Sequence, residues 1–237
     1  MNIILFEPDE LSRPIDLTDP RARHILGVLR RHPGDTFDAG IIDGPRGKAT
    51  VVEVRNEFLV LSFQPGEEPP PFDPITLIVG MPRPQTARKV LEEATALGVA
   101  AMHFVRTENG EASYATSRLW STAEWHRHVI DGAQQAFTTR LPAITFDRSL
   151  ASAITAAASA GTRLALDNYE SPERLGAIEI ATPVVLAVGA ERGWSPRERD
   201  VLRDAGFRFA HMGERVLRVE TAVVSAVALV RSRLGLM

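Results

Sequence analysis

The sequence contains no cysteine, which removes disulfide bonds, thiolate chemistry and thiolate zinc sites from consideration. It also has no apolar run close to the roughly 18 residues of a membrane span. The first eight residues (MNIILFEP) carry no basic segment, and their apolar stretch is too short for a signal peptide. From these absences we expect a cytoplasmic protein without a membrane anchor.

An overall excess of positive charge is missing too, since the formal net charge is -3. The basic residues are nevertheless unevenly spread, because residues 21–31 (RARHILGVLRR) hold four arginines and no acid. Local clustering matters more for phosphate contact than the total charge does. The cluster therefore indicates either RNA contact or a solvated helix face. Its arginines are Arg21, Arg23, Arg30 and Arg31.

Common catalytic signatures are also absent. No G-x-G-x-x-G or P-loop follows the strand candidate 75–80, which argues against a nucleotide-dependent dehydrogenase. The histidines show no metal-ligand spacing, so we expect no metal. Ser195 is followed by Pro196 and, three positions on, by Glu198, which is the pattern of a helix-capping box. We therefore expect Ser195 to begin a helix rather than to act as a nucleophile.

A proline-rich stretch at 66–74 (GEEPPPFDP) separates two regions, predicted as domains 1–70 and 71–237. The first region shows short β-branched runs and turn signals, typical of a small β domain. We predict strands at 3–6, 35–42, 48–54 and 57–63, and a helix at 20–31.

In the second region apolar runs alternate with helical patterns, which predicts a parallel sheet with helices on both faces. We predict strands at 75–80, 99–105, 143–146, 163–166 and 184–188, and helices at 87–97, 117–136, 150–160 and 222–230. We expect Trp120 and Trp125 in the core or an interface, and Trp194 exposed on a loop.

Ligands of open parallel sheets bind at the carboxyl ends of the strands. Three such ends have unusual sequences: 80–84 (GMPRP), 189–195 (GAERGWS) and 212–222 (MGERVLRVETA). In the last of these, Arg218 and Glu220 precede an apolar helix. From the residues alone, they form either a structural ion pair or part of a functional site.

At this point the residues resemble a known family. The series LAVGAERGWSPRE and MGERVLRVETAVVSA resembles the C-terminal signature of the small-subunit rRNA uridine-N3 methyltransferases, the RsmE family of the SPOUT superfamily. The stretch RHILGVLRRHPGDTF resembles their N-terminal PUA-like domain, and LEEATALGVAAMHFVRTE resembles another of their segments. The likeness spans nearly the whole chain in the same order.

The resemblance implies a PUA-like β-barrel followed by a SPOUT α/β domain with a deep trefoil knot, a homodimer, and small-subunit rRNA or the ribosomal subunit as partner. S-adenosylmethionine would be held by the three loops, and N3 of a uridine would be methylated. For the cofactor we expect Val79, Gly80, Val188, Gly189, Glu191, Gly193, Met212, Gly213, Val216, Leu217 and Thr221.

For catalysis we expect Arg218, which would stabilise the uracil anion, and Glu220, which would orient Arg218 or accept a proton. For RNA phosphates we expect Arg21, Arg23, Arg30, Arg31, Lys48, Arg83 and Arg88.

The sequence also departs from the family pattern. Ala190 stands where proline is usual, Arg192 stands where glycine is usual, and residues 134–138 (QQAFT) replace a helix motif that is usual in the family. The alternative to an active enzyme is accordingly a non-catalytic RNA-binding or ribosome-assembly paralogue.

Overall fold

A computed structural model describes residues 2–157 and 161–237. The chain forms two compact units, one of Met1–Pro71 with Ala133–Leu141 and one of Phe72–Gly132 with Pro142–Met237. The predicted domains 1–70 and 71–237 put residues 133–141 in the second domain, whereas the structure groups them with the first unit. This segment groups with the N-terminal unit because its backbone bonds there: Gln134 accepts hydrogen bonds from the N–H groups of Asn2 and Ile3.

The first unit is built on a five-stranded sheet in the order β1-β3-β4-β5-β2. Strands β1 and β3 pair in parallel, and the remaining neighbours pair antiparallel. Its core contains Phe6, Ile25, Phe37 and Leu59. The strands are β1 (Ile4–Phe6), β2 (Ile15–Asp16), β3 (Thr36–Ile41), β4 (Arg46–Val54) and β5 (Phe58–Pro65).

The helix predicted at 20–31 is shorter and less regular. Helix α1 (Pro20–Arg23) begins with Pro20 in its first turn, and the Asp19 side chain caps it by accepting from the Arg21 N–H. It continues as a π-helical turn, His24–Val28. Arg30 then adopts a left-handed φ of 51°, which no helix continues through.

The second unit contains a seven-stranded, all-parallel sheet in the order β10-β12-β9-β11-β6-β7-β8. The predicted α/β alternation is therefore confirmed. Its strands are β6 (Asp73–Gly80), β7 (Val99–Val105), β8 (Ala143–Arg148), β9 (Thr162–Leu166), β10 (Glu173–Arg174), β11 (Val184–Val188) and β12 (Arg208–His211).

The helix expected at 117–136 in the second unit is interrupted where Ala123 takes a φ of 56°. The helices expected at 87–97 and 222–230 each begin three residues earlier than predicted. Part of the helix expected at 150–160 lies outside the described residues. The helices are α2 (Pro84–Ala96), α3 (Arg118–Ser121), α4 (Glu124–Gln135), α5 (Leu150–Ala156), α6 (Pro196–Asp204) and α7 (Val219–Arg233). Across residues 2–157 and 161–237, no helix combines the length and hydropathy needed to cross a bilayer.

Packing in the second unit corrects the prediction for Trp194, which is only 1% exposed and lies in the core beside Phe207 and Phe209. Its buried ring anchors the loop that follows β11. Trp120 is buried as expected and stacks on Phe146 at 4.9 Å between ring centroids. Ser195 caps α6 with both hydrogen bonds of a capping box, so its predicted structural role is confirmed.

Candidate functional site

A cavity of about 570 Å³ lies in the second unit, where neighbouring strands end. Its walls come from the loops after β9, β11 and β12, together with the first turns of α2 and α7. Because β9, β11 and β12 are neighbours in a parallel sheet, their carboxyl ends meet at one edge. The loop sequences 189–195 and 212–222 therefore lie on one cavity, as their placement after strands predicted.

Most of the residues predicted for the cofactor line this cavity. Its inner wall is apolar where Leu166, Val188 and Ala210 face it. The glycines of these loops have no side chain to fill the cavity. Gly193 adopts a left-handed φ of 66°, which only glycine takes at little cost. The predicted residues on the lining are Val188, Gly189, Glu191, Gly193, Met212, Val216 and Leu217.

Four predicted cofactor residues are not on the lining. Val79 is buried in β6 and pairs with Val188. A side chain at Gly80 would come within 2.5 Å of the Ala190 backbone nitrogen, so this glycine lets the loop after β11 pack against β6. Gly213 and Thr221 flank lining residues on the third loop and on α7. Gly80 therefore contributes to the cavity indirectly, by allowing the loop after β11 to lie close to β6.

The sequence reasoning missed the loop after β9. Residues Leu166, Asp167, Asn168 and Tyr169 line the cavity, although no glycine-rich or charged motif marks them. The available signal was their position, directly after a buried strand of the parallel sheet. Further lining residues outside the expected set are Thr86, Ala190, Arg192, Ala210, His211, Arg215, Val219 and Ala222.

Glu191 has a structural partner. Its carboxylate accepts a hydrogen bond of 3.0 Å from the backbone N–H of Arg83, the residue that precedes α2. An anion at a helix N-terminus is favourably placed, because the unpaired N–H groups of the first turn point toward it. Glu191 therefore ties the loop after β11 to the start of α2.

Glu220 lies in the first turn of α7, where Lys89 of α2 pairs with it at 3.3 Å. A hydrogen bond from its own backbone N–H lowers the pKa of the Glu220 carboxyl; burial opposes this, and Lys89 and then Arg218 add to the lowering. Within the described residues Arg218 forms no salt bridge with Glu220 or another acid. Glu220 therefore forms its salt bridge with Lys89 and not with Arg218, the partner considered from the sequence.

The arginines of the cavity differ from its acids. Asp167, Glu191 and Glu220 each have a partner, in Arg199, the Arg83 backbone and Lys89. Across residues 2–157 and 161–237, none of the lining arginines forms a salt bridge. The guanidinium groups of these side chains therefore have no carboxylate in salt-bridge contact among the described residues. These arginines are Arg83, Arg192, Arg215 and Arg218.

Comparison with known proteins shows the family to which the chain is similar. The family model for an RNA methyltransferase domain matches residues 68–231. The chain is 36% identical to ribosomal RNA small subunit methyltransferase E of Treponema pallidum, covering 97% of this chain and 90% of that protein. The protein of the same name, numbered 1, from Borreliella burgdorferi is 27% identical over 99% of both chains.

The chain belongs to the ribosomal RNA small subunit methyltransferase E family. The recognised resemblance is confirmed. A crystal structure of the Neisseria gonorrhoeae methyltransferase E bound to S-adenosylmethionine is 27% identical, with a TM-score of 0.78 over 98% of this chain and 97% of that one. A probable rRNA-methyltransferase from Porphyromonas gingivalis shares the fold, with a TM-score of 0.81 over 99% of both chains at 24% identity.

Arg21, one of the residues expected to contact RNA in this methyltransferase E family member, already forms salt bridges within the protein. It donates to Glu10 at 2.6 and 2.8 Å and to Asp19 at 2.8 Å, and its guanidinium lies 4.9 Å from the centroid of the Phe6 ring. Hydrogen bonds from Arg21 are the main cause that lowers the pKa of both carboxyls. Such a network leaves few donors for phosphate, so we remove Arg21 from the proposed contacts.

The other predicted contacts vary in availability. Lys48 pairs with Asp38 at 2.8 Å, and Arg88 pairs with Glu124 at 2.9 Å. Arg23, Arg30 and Arg31 form no salt bridge within the described ranges. Arg83 lines the cavity itself.

One cluster could not be seen from histidine spacing. Glu92 on α2 and His128 and Asp131 on α4 bring possible metal-ligand atoms within 4.8 Å of one another. His128 Nδ1 is already 2.5 Å from a Glu92 carboxylate oxygen, and its Nε2 is 3.5 Å from Glu124. The imidazole thus has carboxylates on both sides, and the absence of a metal stays a prediction.

Proposed function

We propose that this protein transfers a methyl group from S-adenosylmethionine to N3 of a uridine in small-subunit rRNA. The observation that carries the proposal is the cavity at the carboxyl ends of β9, β11 and β12, lined by the two loop sequences that resemble the family signature. The methyltransferase E relatives, one of them crystallised with S-adenosylmethionine, support the choice of cofactor and of rRNA.

The residues present fit S-adenosylmethionine. A volume of about 570 Å³ is within the range of pockets that hold ligands of this size. Leu166, Val188, Ala210 and Leu217 offer apolar surface for a base. The glycines at 189 and 193 let the loop after β11 turn tightly at the cavity wall, where the Gly193 N–H donates to the Ala190 carbonyl. The bound cofactor supplies an electrophilic methyl group, and these residues would hold it.

The chain's own part in the chemistry is to position the base and stabilise its charge. Uracil N3 carries a proton and becomes a good nucleophile only when that proton leaves, after which negative charge spreads onto the flanking carbonyl oxygens. A guanidinium beside those oxygens lowers the energy of the anion. Arg218 meets this need, since it lines the cavity without a salt bridge to any described acid.

Glu220 is better suited to holding Arg218 and the start of α7 electrostatically than to accepting the proton. Its pKa is lowered by its own backbone N–H and by Lys89, and a weakly basic carboxylate is a poor proton acceptor near neutral pH. We propose that the N3 proton leaves to solvent and that Glu220 remains charged throughout.

We also propose the remaining features that the resemblance implies: a PUA-like fold for the first unit, a trefoil knot in the second, a homodimer, a cytoplasmic location and no metal. The sheet order β12-β9-β11 and the cavity between their loops are compatible with a knot at this place. For RNA phosphates we retain Arg23, Arg30, Arg31, Lys48, Arg83 and Arg88.

The experiment is transfer of radiolabelled methyl from S-adenosylmethionine to small subunits and to naked rRNA from cells lacking this protein, followed by nucleoside analysis. Label in N3-methyluridine supports the full proposal. Label in another nucleoside would keep the methyltransferase and reject uridine N3. No label, with rRNA still bound and the cofactor not bound, would favour the non-catalytic paralogue.

A further inference from the structure

The loop after β9 is held in one shape by Asp167. One oxygen of this carboxylate accepts hydrogen bonds from the backbone N–H groups of Tyr169 and Glu170 at 2.7 and 2.8 Å. The Asp167 carbonyl accepts a further bond from the Ser171 hydroxyl. A turn closed on an aspartate side chain in this way fixes the direction of the residues it spans.

A buried ion pair secures this loop to α6. Arg199 Nε lies 2.8 Å from the second oxygen of Asp167, and the two side chains are 10% and 2% exposed. Arg199 also lies 3.5 Å from Glu170. Charges this deeply buried are stable only when they are paired, so the loop cannot move away without a large cost.

Tyr169 is the residue that this rigid loop presents. The residue lines the cavity and is 82% exposed. The guanidinium of Arg199 lies 5.6 Å from its ring centroid. The Asp167 turn and the Arg199 contact hold this residue at the cavity with most of its surface in water, so its ring is available to stack on a ligand.

We infer that Tyr169 stacks on an unpaired base of the RNA strand at the cavity mouth and that Arg192 and Arg215 bind adjoining phosphates. The site would then take single-stranded rather than duplex RNA. This inference rests on the proposed function, because it assumes an RNA substrate.

The physical reason is geometric. A base inside a duplex cannot reach a closed cavity, so chemistry on a ring atom requires an unpaired or extruded nucleotide. Aromatic rings and guanidinium groups bind such bases by stacking, and nearby cations follow the backbone. Arg192 and Arg215 are exposed lining residues that form no salt bridge with any described acid.

The test is direct binding of a single-stranded oligoribonucleotide carrying a uridine, and of the same sequence in a duplex, to the full chain by fluorescence anisotropy. We compare Tyr169→Phe, Tyr169→Leu and Tyr169→Ala. The other tyrosine of the chain, Tyr114, does not line the cavity, and Tyr114→Leu is the matched control.

We expect wild type to bind the single strand more tightly than the duplex. Tyr169→Phe keeps its affinity within about twofold, whereas Tyr169→Leu and Tyr169→Ala lower it roughly tenfold. Arg192→Gln and Arg215→Gln each lower the dependence of log affinity on log salt by about one. Cofactor affinity is measured separately by calorimetry with S-adenosylmethionine alone, because Tyr169 lines the same cavity, and the loss of RNA affinity should exceed any loss of cofactor affinity.

Three results would overturn the inference: full single-strand affinity in Tyr169→Leu, an equal loss in Tyr169→Phe, or a loss of cofactor affinity that accounts for the whole effect. Duplex RNA bound as tightly as the single strand would do the same. The binding assay does not depend on methyl transfer, so an inactive wild type with a Tyr169-dependent affinity would reject the methyl-transfer part of the proposed function and keep the RNA contact inferred here.

Discussion

Arg21 in the first unit and Arg218 in the second both stand out in the sequence as arginines beside a loop, yet the structure surrounds them differently. Arg21 is bound by two carboxylates and lies against the Phe6 ring. Arg218 lies on a cavity wall and forms no salt bridge within the described residues. One cation completes the fold, and the other is available to a ligand.

The difference shows that availability depends on partners that the local sequence does not reveal. The window 21–31 contains no acid, but Asp19 lies just before it and Glu10 is brought back by the turn at the start of the chain. Near Arg218 the obvious acid is Glu220, and Lys89 from another helix has taken it. The partners of Arg21 lie two and eleven positions before it, whereas the residue that pairs with Glu220 comes from a different helix.

The largest effect is expected at Arg218. Arg218→Ala should lower kcat for methyl transfer by about 10²- to 10³-fold, the usual loss when one preorganised donor to a developing anion is removed. Binding of S-adenosylmethionine should change little, because we place the guanidinium at the base. Single-turnover kinetics with saturating cofactor and rRNA measure this loss.

Arg218→Lys is the matched control, since it keeps the charge and removes the planar fork, and its kcat should fall between those of wild type and Arg218→Ala. Unfolding by urea should give all three proteins the same free energy within about 0.5 kcal/mol, as expected for an exposed residue. Normal turnover in Arg218→Ala would reject the catalytic assignment.

The opposite pattern is expected for Arg21. Arg21→Met should lower the free energy of unfolding by about 2–3 kcal/mol, because Glu10 and Asp19 lose the group that bonds them while remaining partly buried. Affinity for rRNA and kcat should remain at wild-type values at temperatures where the variant is folded. A large loss of RNA affinity with unchanged stability would restore Arg21 to the RNA contacts.

The pH dependence of this stability has a definite sign. The pKa values of the Glu10 and Asp19 carboxyls are lowered in the folded chain, chiefly by hydrogen bonds from Arg21. The network therefore stabilises the fold above the carboxyl pKa values of the unfolded chain, roughly 4, and loses this contribution as the pH falls through the lower folded values. The stability gap between wild type and Arg21→Met should accordingly close in acid.

The fold was largely predictable because its strongest signals are local. The apolar run 75–80 and the span Val99–Val105 became strands, and the capping pattern at Ser195 began α6. The failures were of another kind. The two-residue strand β2 is too short for a periodic signal. The helix break at Ala123 requires a left-handed backbone conformation, which an alanine in the sequence does not predict.

The candidate site was half predictable for a similar reason. The loops after β11 and β12 carry a family signature, whereas the loop after β9 has no motif although Asp167 and Tyr169 line the same cavity. Trp194 was expected on the surface because glycine precedes it, yet its ring is buried. Side-chain direction in a loop depends on packing against distant strands, which a sequence pattern does not contain.

A moderate effect is expected from the remaining cations of the N-terminal cluster. The triple change Arg23→Gln, Arg30→Gln and Arg31→Gln should weaken binding of rRNA and reduce the salt slope by about one for each phosphate that is no longer bound. Base choice and kcat at saturating RNA should not change, because phosphate contacts position the strand without reading it. An unchanged salt slope would show that this cluster is only a solvated surface.

The smallest effect is expected from substitution of Lys89. This substitution distinguishes two roles of Glu220, electrostatic support of Arg218 and acceptance of the proton. In Lys89→Met the pKa of Glu220 should rise toward its ordinary value, because a nearby positive charge and hydrogen-bond donor are removed. If the charged carboxylate supports Arg218, methyl transfer is lost on acidification at a higher pH in Lys89→Met than in wild type, while the rate near pH 8 stays within about twofold. Lys89→Arg keeps the charge and should keep the wild-type profile.

Were Glu220 instead the proton acceptor, raising its pKa would make it a better base and increase the rate on the alkaline plateau. A faster rate in Lys89→Met than in wild type near pH 8 would therefore reverse the role assigned to Glu220.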